Sequence, residues 1–168
     1  MGRETGSAPK KKRAYTAADS RAYDELVIRE AMAVLEKRLK RPVMKSSIVP
    51  ATATKLAEFV LKGEEREHFW VAFLNAQNQL IGHRILFSGT VGSSAVHPRE
   101  VVKEALRANA SGVIFAHNHP SGIPEPSRDD EMITQRLKSA LELVDVRVLD
   151  HIVVGFDSSV SMSERGLI

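Results

Sequence analysis

Two histidines one residue apart, His117 and His119, precede a proline-rich loop, a serine at 127 and an aspartate at 130, all within FAHNHPSGIPEPSRDD, from Phe115 to Asp130. Two imidazoles and a carboxylate are the three protein ligands a catalytic Zn2+ takes when its fourth position is kept for water. Upstream, SGVIFA is an apolar run with β-branched members and reads as a buried strand, on which side chains two residues apart point the same way. His117 and His119 can therefore converge on one ion. Pro120, Pro124, Pro126 and Gly122 stop the strand and restrict the chain as it folds back. Ser127 then begins a helix, and Ser127 to Asp130 also fits a capping box, a serine N-cap with a carboxylate three residues later. Capping alone explains Ser127 and Asp130 but not the histidines. The two readings are compatible, because a helix N-terminus favours the ionised carboxylate that a metal requires.

The elements that must position these groups follow from hydrophobic periodicity. Residues 1–19 are small, polar and basic and read as a disordered tail, with KKKR at Lys10 to Arg13 a solvated patch. Residues 20–46 read as an N-terminal helix and linker: Asp19 or Ser20 caps a helix whose apolar stripe is Leu26, Ile28, Ala31, Val34, Leu35 and Leu39, and Pro42 stops it. The catalytic domain is expected over 47–168. Its first helix runs from about Pro50 to Gly63, with Leu56, Phe59, Val60 and Leu61 as the buried face.

From Glu67 the period becomes that of strands. HFWVAFL, a turn at Asn75 to Asn78, and LIGHRILFSG form an antiparallel hairpin, with Phe69, Val71 and Phe73 on one face. Glu64, Glu65 and Glu67 at its entry are either a solvated turn or a carboxylate supply for a neighbouring site. A helix opened by Pro98, with Val101, Val102, Ala105 and Leu106 facing the core, leads into the histidine strand. The helix from about Ser127 to Leu143 presents Met132, Ile133, Leu137, Ala140 and Leu141, VRVLDHIVVG is a strand, and SVSMSERGLI closes the chain. Helices alternating with strands predict an α/β or α+β fold, a central sheet flanked by helices.

Bulk properties remove several functions. The chain has no cysteine, which excludes disulfides, thiolate zinc sites and the zinc deaminase signature, and suits a reducing cytoplasmic setting. No apolar run reaches the roughly 18 residues that span a bilayer, so no membrane partner is expected. The net charge of +3 is unevenly spread: residues 1–13 carry +4, residues 14–62 carry +3, and residues 63–168 carry −4. Nucleic-acid contact, a weak one, is thus expected only through the first third, and the acidic body disfavours a phosphodiesterase.

The spacing H-x-H, seven residues, S, two residues, D resembles the JAMM motif of MPN/JAB-domain metalloproteases, here His117, His119, Ser127 and Asp130. VHPREVVKEAL, AHNHPSG, PSRDD, ITQRL and VLDHIVVG are similar, more narrowly, to the RadC branch of that superfamily, from about Ala22 to Ile168. The resemblance implies a central mixed sheet flanked by helices, zinc on His117, His119 and Asp130, and a glutamate from an earlier strand that activates the water. Glu67 matches that acidic position, with Glu65 close by. Typical RadC proteins add an N-terminal helical segment resembling a helix-hairpin-helix DNA-binding module. About sixty residues precede the core here, without a paired Gly-containing hairpin, so that module is expected to be truncated or absent and DNA repair does not follow from the resemblance. The expected activity is zinc-dependent cleavage of a peptide or isopeptide-linked protein by a zinc-bound water, with Glu67 as general base and acid and Ser127 steadying the oxyanion. The alternative is a non-enzymatic DNA-repair-associated or DNA-binding accessory module that retains the fold.

Overall fold

The computed structural model describes residues 24–34, 48, 50–89 and 96–168, and the chain divides into two units, 1–38 and 39–168. In the first unit residues 24–34 form a helix, α1, inside the span where the apolar stripe predicts one. The basic tail, Leu35, Leu39 and the stop at Pro42 lie outside the described residues.

In the second unit α2 (Pro50–Leu61) leads into a hairpin of β1 (His68–Leu74) and β2 (Leu80–Ser88). Then α3 (Pro98–Arg107) feeds β3 (Gly112–Asn118), and α4 (Arg128–Glu142) feeds β4 (Arg147–Val154) and the short β5 (Ser159–Ser161). The sheet order is β2-β1-β3-β4-β5, with β3 and β4 parallel and every other pair antiparallel. This is the helix-flanked mixed sheet that the sequence predicts.

The central strands β1 and β3 carry apolar residues on both pleat faces because both faces are covered. Trp70, Ala72, Leu74, Ile114, Ala116, Ile152 and Val154 meet α2 through Ala53, Ala57 and Leu61. The alternate residues Phe69, Val71, Phe73, Val113 and Phe115 meet α3 and α4 through Val101, Ala105, Leu137 and Leu141. His117 continues the second series, so its side chain emerges on the α4 side, while Asn118 belongs to the first. In the hairpin turn, Asn75 Oδ1 accepts from the backbone N–H groups of Gln77 and Gln79, and Asn78 takes the left-handed conformation that asparagine tolerates.

Three helix faces differ from expectation. The centre line of α2 is Ala53, Ala57 and Leu61, at i, i+4 and i+8, with Leu56 and Val60 flanking it and Phe59 only partly buried. Small alanines let the helix approach the sheet closely, which a leucine-centred face would prevent. Leu106 is 55% exposed and Met132 51% exposed. Leu106 lies one residue after buried Ala105 and Met132 two before buried Thr134, and each residue turns the side chain by about 100°. On α4 the buried line is Thr134, Leu137 and Leu141, which puts a hydroxyl into the interior.

Candidate metal centre

β3 ends where its pleat delivers His117 to the α4 side, and the chain continues for one residue before turning. The His119 N–H donates to the Val154 carbonyl at 2.9 Å, so the second histidine stays tied to β4 although it lies just past the strand. Its Nδ1 lies 2.8 Å from the Ile123 carbonyl oxygen, which fixes Nδ1–H as donor and leaves Nε2 bare whenever the ring is neutral. The two histidines meet through their Nε2 atoms at 3.0 Å. Asp130 completes the group, with Oδ1 at 3.2 Å from His117 Nε2 and Oδ2 at 3.5 Å from His119 Nε2.

Those three separations test the donor set against zinc. Metal–ligand bonds of about 2.0–2.1 Å in tetrahedral geometry place the ligand atoms about 3.3 Å from one another; His117 Nε2 stands 3.0 Å from His119 Nε2 and 3.2 Å from Asp130 Oδ1, while the 3.5 Å contact of Asp130 with His119 Nε2 is made by its other oxygen, Oδ2. Among the described residues His117, His119 and Asp130 are the group able to hold a metal ion. Two imidazole nitrogens and a carboxylate oxygen converging at this distance suit a divalent cation of zinc's kind. Burial by itself would push the Asp130 carboxyl up, but the His117 and His119 rings, which donate to it from Nε2 only when protonated, together with the Ser127 hydroxyl outweigh it and hold the group far below the usual carboxylate range. His119 is raised, first by its bond to Asp130, against the opposing pull of burial.

Asp130 is shared between the site and its own helix. Its Oδ2 accepts from the Ser127 N–H at 2.7 Å and from the Ser127 hydroxyl at 2.6 Å, while Ser127 Oγ accepts from the Asp130 N–H at 3.2 Å. This is a complete capping box on α4. It leaves Oδ1 outside the cap and toward His117, so capping orients the carboxylate. The single hydroxyl proton of Ser127 is given to Asp130, and donating it to an oxyanion would require a turn of that side chain.

Glu67 is partly buried and Glu65 exposed. The charge of Glu67 is among the influences that raise His119, which sets it within electrostatic reach of the centre. Its backbone is held on several sides. Asn118, 3% exposed, accepts from the His68 N–H at 2.9 Å and donates to the carbonyls of Glu64 and Arg66 at 3.2 and 2.8 Å. The Gly89 N–H donates to the Glu67 carbonyl at 2.8 Å. The residue between the two histidines thus staples the segment that carries the glutamate. Asn118→Asp keeps the shape but turns both donated bonds into contacts between a carboxylate and carbonyls. Thermal unfolding should register a loss of about 1–3 kcal/mol, with zinc affinity close to wild type.

Behind the ligands lies a buried polar chain that motif spacing does not announce. His117 Nδ1 is 2.8 Å from His151 Nε2, His151 Nδ1 is 2.5 Å from Thr134 Oγ1, and Thr134 Oγ1 donates to the Asp130 carbonyl at 2.6 Å. His151 is fully buried, edge-on to Phe69 and Phe115, and burial holds it well below the ordinary histidine range. Two signals were available for these residues: a histidine inside the apolar run of β4, and a threonine four residues after Asp130 and hence on its helix face.

The loop between His119 and Ser127 is seated by two glycines. Gly122 has φ of 81°, and a Cβ there would sit inside the Phe156 ring; a Cβ on Gly155 would strike the Gly122 carbonyl. Phe156 N–H donates to that carbonyl at 3.0 Å. Gly155→Ala must push the loop off β4 and carry the Ile123 carbonyl away from His119. Differential scanning calorimetry is expected to record a loss of about 1–3 kcal/mol, accompanied by weaker zinc binding.

The RadC-like JAB domain family model matches residues 48–167. A UPF0758 protein of Vibrio cholerae is 54% identical over 146 residues, covering 87% of this chain and 90% of the relative. UPF0758 protein YfjY of Escherichia coli is 48% identical over 145 residues, 84% of this chain and 88% of the relative. A UPF0758 protein of Pseudoalteromonas translucida is 47% identical over 144 residues, which span 86% of this chain but 63% of that longer relative. No helix among the described residues is long and apolar enough to cross a membrane.

Proposed function

The chain belongs to the RadC-like JAB domain family, which includes hydrolases, and from that premise we propose that it is a zinc metallopeptidase or isopeptidase. The observation that carries the proposal is the convergence of His117 Nε2, His119 Nε2 and the Asp130 carboxylate, with the two nitrogens 3.0 Å apart and Asp130 Oδ1 3.2 Å from His117, close to the edge length of a zinc tetrahedron. Zinc on these three ligands would supply an activated water and polarise the scissile carbonyl.

The chain's own groups do the rest. Glu67 takes the proton of the attacking water as the new C–O bond forms, and returns it to the amide nitrogen as the C–N bond breaks, so that a carboxylic acid and an amine leave. Asn118 holds the Glu67 peptide in register with the ligands. Ser127 orients Asp130 and, by turning about its Cα–Cβ bond, can give its proton to the oxyanion, a contribution of about 2.7–4 kcal/mol where single donors have been removed elsewhere. The acidic balance of residues 63–168 favours an amide over a phosphodiester as the bond cut.

The test is to measure bound zinc in wild type and Asp130→Ala and to screen both, with Glu67→Ala, against peptide and isopeptide libraries. A wild type that holds no zinc ends the enzyme reading. Zinc held firmly with no amide cleaved would leave a binding module on this fold.

A further inference from the structure

We infer that His151 and Thr134 are positioning residues that set the tautomer of His117, through a hydrogen-bond chain with one allowed direction. The inference rests on His117 being a metal ligand and adds what prepares it for that role.

The direction follows from proton counting. Thr134 has one hydroxyl proton, and the Asp130 carbonyl 2.6 Å away can only accept it. With that proton committed, Thr134 Oγ1 can only accept from His151, so the 2.5 Å contact is His151 Nδ1–H donating to the hydroxyl. A neutral imidazole with its proton on Nδ1 has a bare Nε2. His151 Nε2 therefore accepts from His117 Nδ1–H across 2.8 Å. His117 is left with a bare Nε2, the atom that faces His119 Nε2 and Asp130 Oδ1. The reverse direction would place a proton on His117 Nε2, aimed into the metal position.

The chain is sealed against adjustment by water, since His117, Thr134 and His151 are 2%, 0% and 0% exposed. The rings of Phe69 and Phe115 stand edge-on to His151, with centroids 5.5 and 5.8 Å away, and fix its plane. The chain also starts at one ligand and ends on the backbone of another. The helix that brings the Asp130 side chain to the site thereby sets, through its own carbonyl, which nitrogen of His117 is free. Ligating histidines generally donate their second nitrogen to a carboxylate, a carbonyl or water. Here the acceptor is a second histidine, which can accept only because a threonine four residues after Asp130 takes its proton.

The experiment uses the full 168-residue chain with 15N-labelled histidines, zinc-stripped, at a pH where the imidazoles are neutral, read by long-range 1H–15N spectra and followed by Zn2+ titration against a competing chelator. In wild type, His117 should show a protonated Nδ1 and a bare Nε2. Thr134→Val, nearly isosteric, removes the acceptor for His151 Nδ1–H; His117 should then become a tautomer mixture and Zn2+ affinity should fall about 10- to 100-fold. Thr134→Ser restores the hydroxyl and should restore both. A wild-type His117 protonated on Nε2 overturns the inference, as does a Thr134→Val protein in which either the tautomer or the affinity stays at its wild-type value. If wild type binds no Zn2+, the enzyme proposal fails, and the zinc-free spectra still decide the direction of the chain.

Discussion

Asp130→Asn is expected to abolish stoichiometric zinc and with it all amide cleavage, while the chain still folds. The amide keeps the size of the carboxylate and can still accept from the Ser127 N–H, so most of the cap on α4 survives; a full cap loss would cost about 0.5–2 kcal/mol. What disappears is the anionic oxygen 3.2 Å from His117 Nε2. Two imidazoles alone are a poor match for a zinc site, which takes three or four protein ligands. Zinc stoichiometry by atomic absorption reads the result directly, and a variant that keeps one tightly held zinc would show that Asp130 serves only the helix.

The same substitution changes how the zinc-free protein responds to pH. Asp130 is depressed on folding, so its contribution is complete above the ordinary carboxylate range of about 4 and is lost as pH falls below it. His119 is raised, so its contribution is complete below about 6.5 and is lost as pH climbs through the raised value. The zinc-free wild type should accordingly be most stable in mild acid, between those limits. Zinc affinity should run the other way over the same window, because the metal needs the nitrogen that the proton occupies. Denaturant midpoints measured across that window, with and without zinc, should cross over in wild type and lose the mild-acid maximum in Asp130→Asn.

That His117, His119 and Asp130 gather at one place was legible because each rests on a short-range rule. Strand alternation brings His117 and His119 together, and helix-start chemistry puts Asp130 three residues after its cap. The supporting residues depend on distant pairings. His151 reaches His117 only because β3 and β4 run parallel in a register that sets Phe115 beside His151, 36 residues on. Asn118 was hidden by the same alternation that exposed its neighbours: it points to the opposite pleat face, where it meets a segment more than fifty residues earlier in the chain. Leu106 and Met132 show the limit of periodicity. An amphipathic pattern reveals that a helix has a face, but the sheet it meets decides where that face is centred.

Glu67→Gln should retain zinc and lose activity by about 10²- to 10⁴-fold in kcat, the contribution a positioned acid–base group makes. Glutamine keeps the length and a hydrogen bond but cannot take a proton. Glu65→Gln is the discriminating partner. Glu65 is exposed, whereas Glu67 is partly buried, has its peptide clamped through Asn118 and Gly89, and acts electrostatically on His119. The two substitutions remove the same charge two residues apart, so a general electrostatic effect on the acidic turn would affect both variants alike. A base must instead come within hydrogen-bond reach of the water it deprotonates, and that role is proposed for Glu67 alone. Single-turnover rates on a cleavable isopeptide should therefore separate them, with Glu65→Gln near wild type. Should Glu65→Gln prove the inactive member while Glu67→Gln turns over normally, the clamp by Asn118 would be holding the wrong residue and the base would have to be reassigned to the exposed turn.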